Sequence, residues 1–442
     1  MTPEFLTVMM FVGVTVGIFA GFPVAFALTG MGLIFGMIGW GPMAAFNMMG
    51  ARAYSTMTNY MFVAIPLFVF MGSMLQSSGV AESAFGVLRQ WLQNIKGGLG
   101  IATVILCVIF GSCVGVVGAS VTTMAMLTLP PMINNGYKNS LATGIVAAGG
   151  TLGILLPPSI MMIVLGPVAS VSVIKLFAGT IPPGLLLGLF YGIYVFIFVR
   201  VKKDAIVAPV AKEGEVIKHY SLGHGLAAFL PLILLIFTVL GAIFFGFAAP
   251  TEAAGVGALG AILIAGGYRQ LNRRTLHDAA MVTVRASTMV MFVIMGASIF
   301  TSTFFGIGGT KVLATALKGI GLEAFGTLIL VMVVVFVIGI FIDWVGVILI
   351  VVPVFLPILI EYGYDPLYVC LLVCVMLQTS FVTPPFAYTI FYIMGVAPKG
   401  VQLIDVYKGV VPFICIQVLV VAFCVAFPGF LGWLPAIMVP GM

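Results

Sequence analysis

Residues 149–159 read GGTLGILLPPS and interrupt an apolar run that extends from position 139 to position 168. A proline inside a helix costs about 3 kcal/mol and a glycine about 1 kcal/mol relative to alanine, so a helix should break here. The run at 364–395 contains a similar interruption, where residues 378–385 read QTSFVTPP. A helix broken within hydrocarbon needs protein, water or a ligand for its free backbone groups. The two Pro-Pro segments therefore mark a predicted binding site, with a pair of packing kinks as the alternative.

The spacing of these segments indicates an internal duplication. One interval of 227 positions links Leu129 to Leu356, Gly136 to Gly363 and Pro157 to Pro384. After a three-residue insertion, Gly179 and Pro182 match Gly409 and Pro412 at an interval of 230. An interval that persists over a long stretch is typical of a repeat and not of chance apolar similarity. The sequence therefore predicts a first repeat at 1–205, a linker at 206–222 and a second repeat at 223–442.

The composition identifies the lipid bilayer as the solvent of this chain. Its 442 residues are 62% hydrophobic and 7% charged, with a mean hydropathy of +1.28, which excludes a water-soluble fold. Runs of about 20 apolar residues predict membrane-spanning helices. We predict ten spans, at 5–20, 22–39, 58–77, 139–168, 181–200, 224–247, 251–268, 286–306, 364–395 and 410–428. Two further glycine-bearing runs, at 98–134 and 324–360, predict re-entrant hairpins.

The predicted topology is inverted between the halves. Five spans per half is an odd number, so the second half enters the membrane from the opposite side. Lys and Arg favour cytoplasmic loops, and with both termini in the periplasm only Arg52, Lys175, Lys311 and Lys318 of the 18 basic residues lie outside. The polar stretch 202–221 is then cytoplasmic. Segments 81–95 and 270–283 predict amphipathic helices at the interface, the latter with an N-cap signal at Thr275 and Asp278.

The tips of the predicted hairpins carry the second group of candidate ligands. Residues 111–123 read GSCVGVVGASVTT, and residues 339–346 read GIFIDWVG. Exposed carbonyls with Ser or Asp oxygens suit Na⁺, and the positive ends of returning half-helices suit a carboxylate. Asp343 is the most informative residue, because a carboxylate within an apolar run is costly and serves ions, protons or a buried basic partner. We favour a cation site there and interpret Glu252 as an N-terminal helix charge.

The sequence contains no pattern typical of an enzyme or of an ATP-driven pump. H-E-x-x-H, G-x-S-x-G and Walker patterns are absent, and the three histidines lie at or beside linkers. The six cysteines lie inside apolar runs and predict neither disulfides nor a metal site. The net charge of +6 is spread over the ends of apolar runs, which argues against nucleic-acid binding. Ions must therefore supply the energy for any transport.

Four motifs occur in a fixed order along the chain: Ile65-Pro66-Leu67-Phe68, residues 147–159 (AAGGTLGILLPPS), Ile342-Asp343 and Thr383-Pro384-Pro385. Together they resemble the large membrane subunit of the tripartite ATP-independent periplasmic (TRAP) transporters, and the resemblance extends over nearly the whole chain. The resemblance implies an all-α, elevator-type secondary transporter of the bacterial inner membrane. It also implies Na⁺ coupling, a small four-helix membrane subunit, a periplasmic substrate-binding protein and a small organic acid as substrate. The first hairpin tip resembles the branch assigned to mannitol, chloroaromatic or 2-oxo acid compounds.

Residue transfer onto these motifs predicts one substrate site and two Na⁺ sites. The predicted substrate ligands are Ser112, Ser120, Pro158, Ser159, Thr383 and Pro385. The first Na⁺ site comprises Gly118, Ser120, Gly149, Gly150, Thr151 and Gly153. The second comprises Gly339, Asp343, Gln378, Thr379, Ser380 and Thr383. A stand-alone ion-coupled organic-anion carrier or antiporter without a binding protein is the main alternative, and an intramembrane enzyme or a receptor fits less well.

Overall fold

The computed structural model describes residues 2–202, 205–206, 222–319, 321–384 and 387–439, and its regular elements are helices. The first half contains α1 (Pro3–Phe19), α2 (Val24–Trp40), α3 (Pro42–Met57), α4 (Ala64–Gln76), α5 (Val80–Leu92), α6 (Gly98–Val114), α7 (Val117–Asn134), α8 (Asn139–Leu155), α9 (Ile160–Ala169) and α10 (Val173–Val201). The second contains α11 (Leu222–Phe244), α12 (Pro250–Gly267), α13 (Arg273–Gly306), α14 (Gly309–Gly319), α15 (Ala324–Phe341), α16 (Trp344–Glu361), α17 (Pro366–Val382), α18 (Tyr388–Val396), α19 (Leu403–Ala426) and α20 (Gly429–Met438).

The fold is that of a multi-span membrane protein. Six of the described helices are long and apolar enough to cross a bilayer, and the number reaches eight if each of two bent pairs counts as one span. Shorter apolar helices such as α1, α2, α6 and α17 accompany them. Many large apolar side chains on the outer faces are exposed, among them Phe237 at 72%, as expected where lipid replaces water.

The predicted hairpins and helix breaks are confirmed. Helices α6 and α7 form the first hairpin, and α15 and α16 form the second. Helix α8 ends at the first Pro-Pro segment and α9 resumes after a bend of 46°, and α17 and α18 flank the second segment. Both ends of α17 lie 227 positions after the ends of α8, which is the interval of the Pro-Pro pairs.

Several predicted elements differ from the structure; for example, α10 and α19 begin at Val173 and Leu403, although spans were expected from 181 and 410. The sequence does not predict helix α3, because Asn47, Arg52 and Tyr54 make it less apolar than a membrane span. The axis of α3 and that of the following segment, Tyr60–Gln76, differ by 53°. The amphipathic segment 270–283 and the span 286–306 form one helix, α13, since no glycine or proline interrupts residues 273–295. The N-cap of α13 is Asn272, whose Oδ1 accepts from the N–H of Thr275 at 2.9 Å, and not Thr275 itself.

Other local signals are confirmed. The carboxylate of Glu252 accepts a hydrogen bond from the N–H of Ala249 at 2.9 Å and so caps the start of α12. Helix α5 occupies most of the predicted segment 81–95 and buries one face. The predicted linker at 206–222 lies almost wholly outside the described residues. Its first described residue, Ile206, forms a bridge with Tyr137.

The helices pack as two bodies. The inner bundle comprises the hairpins, the broken helices, α10, α19 and α20, with α8 packed on α6, α7 and α19. The frame comprises α1–α5 and α11–α14, in which α2 packs on α13 and α4 on α12. Glycines allow close approach within the bundle, because a Cβ on Gly111 would lie 2.8 Å from the Cα of Gly153. The frame and the bundle meet where α4, α5 and α11 pack on α6 and where α13 packs on α16.

Candidate functional site

A cavity of about 800 Å³ lies where the two hairpin tips meet the frame. Residues 116–118 from the first tip and residues 343–346 from the second line it, together with residues of the broken helices. The frame completes the wall with residues 23–26 at the start of α2, residue 69 of α4, and residues 284–286, 288–290 and 292–293 of α13. Most of the lining is apolar, which is typical of a small-molecule site with a few polar groups.

Four helix N-termini of the inner bundle open onto this cavity. Helix α7 begins at Val117, α9 at Ile160, α16 at Trp344 and α18 at Tyr388, and each of these residues lines the cavity. The first N–H groups of a helix have no partner within the helix, and the helix dipole places partial positive charge there. Four such ends around one apolar space create a field that favours an anion, such as a carboxylate.

Asp343 occupies the N-cap position of α16 at the edge of the cavity. Its backbone is extended, with φ −60° and ψ 154°, and its carboxylate lies near the N–H groups of Trp344 and Val345 without a side-chain capping hydrogen bond. The hydroxyl of Tyr388 contacts the backbone of Asp343. Asp343 makes no ion pair with any basic residue in the described part of the chain. The alternative role of Asp343, a structural ion pair with a buried Arg or Lys, is therefore not observed among the described residues.

The second predicted Na⁺ site contains buried oxygens that lack partners. Both polar atoms of the Gln378 amide and the hydroxyl of Thr379 are buried without a hydrogen bond. Ser380 instead donates to the carbonyl of Phe336 at 3.2 Å, and Thr383 donates to the carbonyl of Thr379 at 2.6 Å. A buried polar group without a partner costs about 1–3 kcal/mol, so an ion or water is expected nearby. These free oxygens fit a hard cation such as Na⁺.

Gly339 allows α15 to pack closely on α17 because it has no side chain. A Cβ at this position would lie 2.6 Å from the hydroxyl oxygen of Ser380, so only glycine lets α15 and α17 come so close. The equivalent contact in the first half is the approach of Gly111 to Gly153. Both hairpins therefore place their first helix directly on a broken helix, just before its break.

The first predicted Na⁺ site is brought together in part. The hydroxyl of Ser120 is buried without a partner, and it lies beside Gly111, which touches Gly153. Gly150 packs against Val121, the neighbour of Ser120. Gly149 faces Cys107 on α6, and Gly118 faces the ring of Tyr392 on α18, so these two glycines point elsewhere. The hydroxyl of Thr151 donates to the carbonyl of Ala148 at 2.8 Å.

The described candidates for substrate ligands do not line this cavity. Ser112 donates to the carbonyl of Ile109 at 2.7 Å, and fully buried Ser159 donates to the carbonyl of Ile154. The carbonyl of Pro158 lies close to Gly115. Among the described residues that line the cavity, none of Ser112, Ser120, Pro158, Ser159 and Thr383 is found. Pro385 lies outside the described residues.

The wall instead contains polar residues that the sequence did not single out. Tyr388 and Tyr392 lie four residues apart on α18, so one helix face presents both rings to the cavity. Arg285 on α13 also lines the cavity, is exposed and forms no ion pair with a described residue. The four-residue spacing of the tyrosines after a Pro-Pro break could have signalled them. Arg285 was interpreted only as a marker of topology.

Most of the chain is similar to one family of transport proteins. Residues 10–430 match the family described as "Tripartite ATP-independent periplasmic transporter, DctM component". The "C4-dicarboxylate TRAP transporter large permease protein DctM" of Pseudomonas aeruginosa is 30% identical over 389 residues, which cover 86% of this chain and 89% of the relative. The "Ectoine/5-hydroxyectoine TRAP transporter large permease protein UehC" of Ruegeria pomeroyi is 28% identical over 423 residues, or 95% and 96% of the two chains.

The fold is also similar to a solved membrane transporter. The crystal structure of the YdaH transporter of Alcanivorax borkumensis superposes with a TM-score of 0.70 and covers 98% of this chain and 100% of its own. The sequence identity is 14%, so the likeness concerns the fold alone. It agrees with the helical membrane architecture that the sequence predicts.

Proposed function

This chain belongs to the DctM-component family of the tripartite ATP-independent periplasmic transporters, and we propose that it imports a small organic acid together with Na⁺ by an elevator mechanism. Its relatives are permeases and not enzymes, in line with the sequence prediction. Transporters of this family work with a small membrane subunit and a periplasmic binding protein, which we propose as partners of this chain. The inner membrane is its place of action.

The convergence of four helix N-termini on the cavity is the observation that supports an acidic substrate. A carboxylate there would accept hydrogen bonds from backbone N–H groups. Because these groups are already fixed by the helices, no side-chain conformational entropy would be lost on binding. Arg285 adds one full positive charge on the frame side of the same cavity, and guanidinium groups bind carboxylates in a bidentate manner. Tyr388 and Tyr392 provide hydroxyls and ring faces for the rest of the molecule. The dicarboxylate in the name of the Pseudomonas aeruginosa relative is consistent with this class.

Asp343 supports the coupling to Na⁺. A substrate carboxylate in this cavity would be repelled by the Asp343 carboxylate unless a cation lay between or beside them. The unpartnered oxygens of Gln378 and Thr379 in the second half, and of Ser120 in the first, are available as further ligands. Binding of Na⁺ would thus remove the repulsion and permit the acid to bind. Substrate and ion would then bind as a set, which is the requirement for symport.

The division into two bodies supports the elevator mechanism. The cavity lies at the boundary between the inner bundle and the frame, with Asp343 on the bundle and Arg285 on the frame. A bundle that moves against the frame would carry its Na⁺ ligands and helix N-termini across the membrane. Arg285 would stay behind, so the substrate would lose one cationic contact during the movement.

Reconstitution tests the proposal directly. Proteoliposomes that contain this chain and its small subunit would receive the cognate binding protein loaded with a labelled acid outside. We expect uptake to follow an inward Na⁺ gradient and to require the binding protein. Uptake that persists unchanged with choline in place of Na⁺ would contradict the coupling. Uptake that does not need the binding protein would favour the stand-alone carrier.

A further inference from the structure

A second cavity, remote from the first, runs along the outside of the inner bundle between α6 and α10. Its volume is about 450 Å³, and the residues that line it are all apolar. On α10 it extends from Leu185 to Phe196, which is about 16 Å of helix. Gly188 and Gly192 form its floor, and a Cβ on Gly192 would meet nothing within 4 Å. Leu185, Leu189 and Ile193 on its rim are about half exposed, so the groove is open to the membrane.

The dimensions of the groove suit a single hydrocarbon chain. A volume of about 450 Å³ over about 16 Å gives a mean cross-section of about 28 Å², or a width of about 6 Å. A flexible apolar chain would fill the groove and would restore the dispersion contacts that the glycine floor leaves unmade.

Basic residues gather at one end of this groove. Arg200 lies one helical turn after Phe196 and is exposed, and its guanidinium stacks on the Phe196 ring with 3.3 Å to the ring centroid. It donates to the Phe196 carbonyl at 3.1 Å and forms no ion pair with a described residue. Exposed Lys96 lies at the same end, because its neighbour Gly97 packs against Val199. The sequence predicts that this end faces the cytoplasm.

From this arrangement we propose that the groove is a binding site for an anionic phospholipid of the cytoplasmic leaflet. One acyl chain lies on Gly188 and Gly192, and the headgroup phosphate lies between Arg200 and Lys96. The apolar trench and the basic pair are complementary to the two ends of such a lipid. The inference does not depend on the substrate or on Na⁺ coupling. It places a lipid on the inner bundle, where it would move with the transport site.

Lipid retention tests the site. The complex of this chain with its small subunit would be placed in nanodiscs of equimolar phosphatidylglycerol and phosphatidylcholine, extracted in mild detergent and analysed by native mass spectrometry. We expect the wild-type complex to retain phosphatidylglycerol in preference to phosphatidylcholine. Because one basic residue near the surface contributes about 1 kcal/mol, Arg200→Gln and Lys96→Gln should each lower this preference about fivefold. Arg273→Gln, an exposed cation on α13, is the matched control.

A second variant tests the groove itself. Gly192→Leu adds a bulky side chain to the floor, at a position where a Cβ meets nothing within 4 Å, and should reduce retained lipid of both classes several-fold. Gly255→Leu on α12, where a Cβ also meets nothing within 4 Å, is the control and should retain wild-type lipid. Equal retention of both lipids by the wild type, or unchanged retention in Gly192→Leu, would overturn the proposal. Loss of the small subunit from Gly192→Leu with lipid unchanged would assign the groove to that subunit and would also overturn it.

Discussion

The backbones of Gly144 on α8 and Gly409 on α19 touch directly: a Cβ added to Gly144 would lie 2.6 Å from the carbonyl carbon of Gly409. The contact is reciprocal, because a Cβ on Gly409 would lie 3.0 Å from the nitrogen of Gly144. The equivalent positions of the repeat are also in contact. Leu371 on α17 lies 227 positions after Gly144, Gly179 on α10 lies 230 positions before Gly409, and Gly179 packs against Leu371. In each case a broken helix of one half rests on a long helix near the end of the other half, α8 on α19 and α17 on α10. The two halves of the inner bundle are held together by these crossings.

Gly144→Ala should therefore destabilise the bundle. The new methyl group would meet backbone atoms, which cannot rotate away, and overpacking of this kind costs about 1–3 kcal/mol. Thermal unfolding in detergent, followed by size-exclusion chromatography, would measure the loss. Gly192→Ala is the control: its Cβ meets open space, and alanine is favoured over glycine in a helix by about 0.5–1 kcal/mol. A Gly144→Ala variant as stable as Gly192→Ala would contradict the contact.

Asp343→Asn should raise the Na⁺ concentration needed for half-maximal uptake. The variant keeps the size of the side chain but removes the charge that would attract the cation. A contact to a charged group is worth about 1.5–3 kcal/mol, so the shift should reach about tenfold or more. Asp365→Asn is the control, since Asp365 caps α17 away from the cavity and asparagine caps helices equally well. An unaltered Na⁺ dependence would remove Asp343 from the ion site.

Arg285→Gln should weaken uptake of the acid more than it weakens the response to Na⁺. Loss of a charge-assisted contact should lower transport at limiting substrate about tenfold or more. Arg285→Lys should recover part of this loss, because it restores the charge but not the bidentate geometry. Arg273→Gln tests for a general effect of charge on α13. Uptake by Arg285→Gln equal to that of Arg273→Gln would show that the substrate does not contact this residue.

Gln378→Leu separates an ion ligand from a structural amide. Both amide atoms of Gln378 are buried without a partner, so leucine should leave stability in choline buffer unchanged or higher. Na⁺ should raise the midpoint of thermal unfolding of the wild type, because it binds only the folded protein, and should do so less in the variant. The control is Gln417→Leu, which breaks the 2.7 Å hydrogen bond to Tyr191. That variant should be less stable in choline but should keep the full response to Na⁺.

A disulfide between the frame and the inner bundle should stop transport. A Cβ on Gly346 of α16 would lie 3.2 Å from a side-chain methyl of Val24 on α2, so Gly346→Cys with Val24→Cys in a cysteine-free chain should cross-link. We expect oxidation to abolish uptake and reductant to restore it. The pair Gly39→Cys and Ile307→Cys joins α2 to the residue that follows α13, within the frame, and should leave uptake intact. Transport by the fully cross-linked Gly346 pair would contradict an elevator movement.

The helix breaks could be predicted because each Pro-Pro pair follows a segment rich in glycine or in Ser and Thr, and the chain breaks at both segments. Proline alone does not decide, since Pro130-Pro131 and Pro182-Pro183 lie inside α7 and α10. The length of α13 could not be predicted from hydropathy, because its first part is polar although nothing in it ends a helix. Helix α3 was missed for the same reason: its residues form a good helix but a poor span.

The sequence predicts the candidate site residues only where a polar residue interrupts an apolar run. Asp343 and Gln378 stand out as polar groups in apolar runs. The structure places Asp343 on the wall of the cavity and Gln378 on α17, where its amide is buried without a partner. Arg285 and Tyr392 are ordinary residues in their own segments. They become part of the cavity wall only because α13 and α18, which are far apart in the sequence, both contribute residues to it. Such long-range convergence is not encoded in any short stretch of sequence.

The four helix N-termini around the cavity have a consequence for how such proteins diversify. Their field comes from backbone amides, and replacing a lining side chain leaves those amides in place. Mutation can therefore reshape the pocket for a longer, shorter or less charged molecule while its affinity for anions persists. Descendants of one ancestral chain can thus exchange substrates through a few substitutions at Tyr388, Tyr392 or Trp344, without passing through a form that binds nothing.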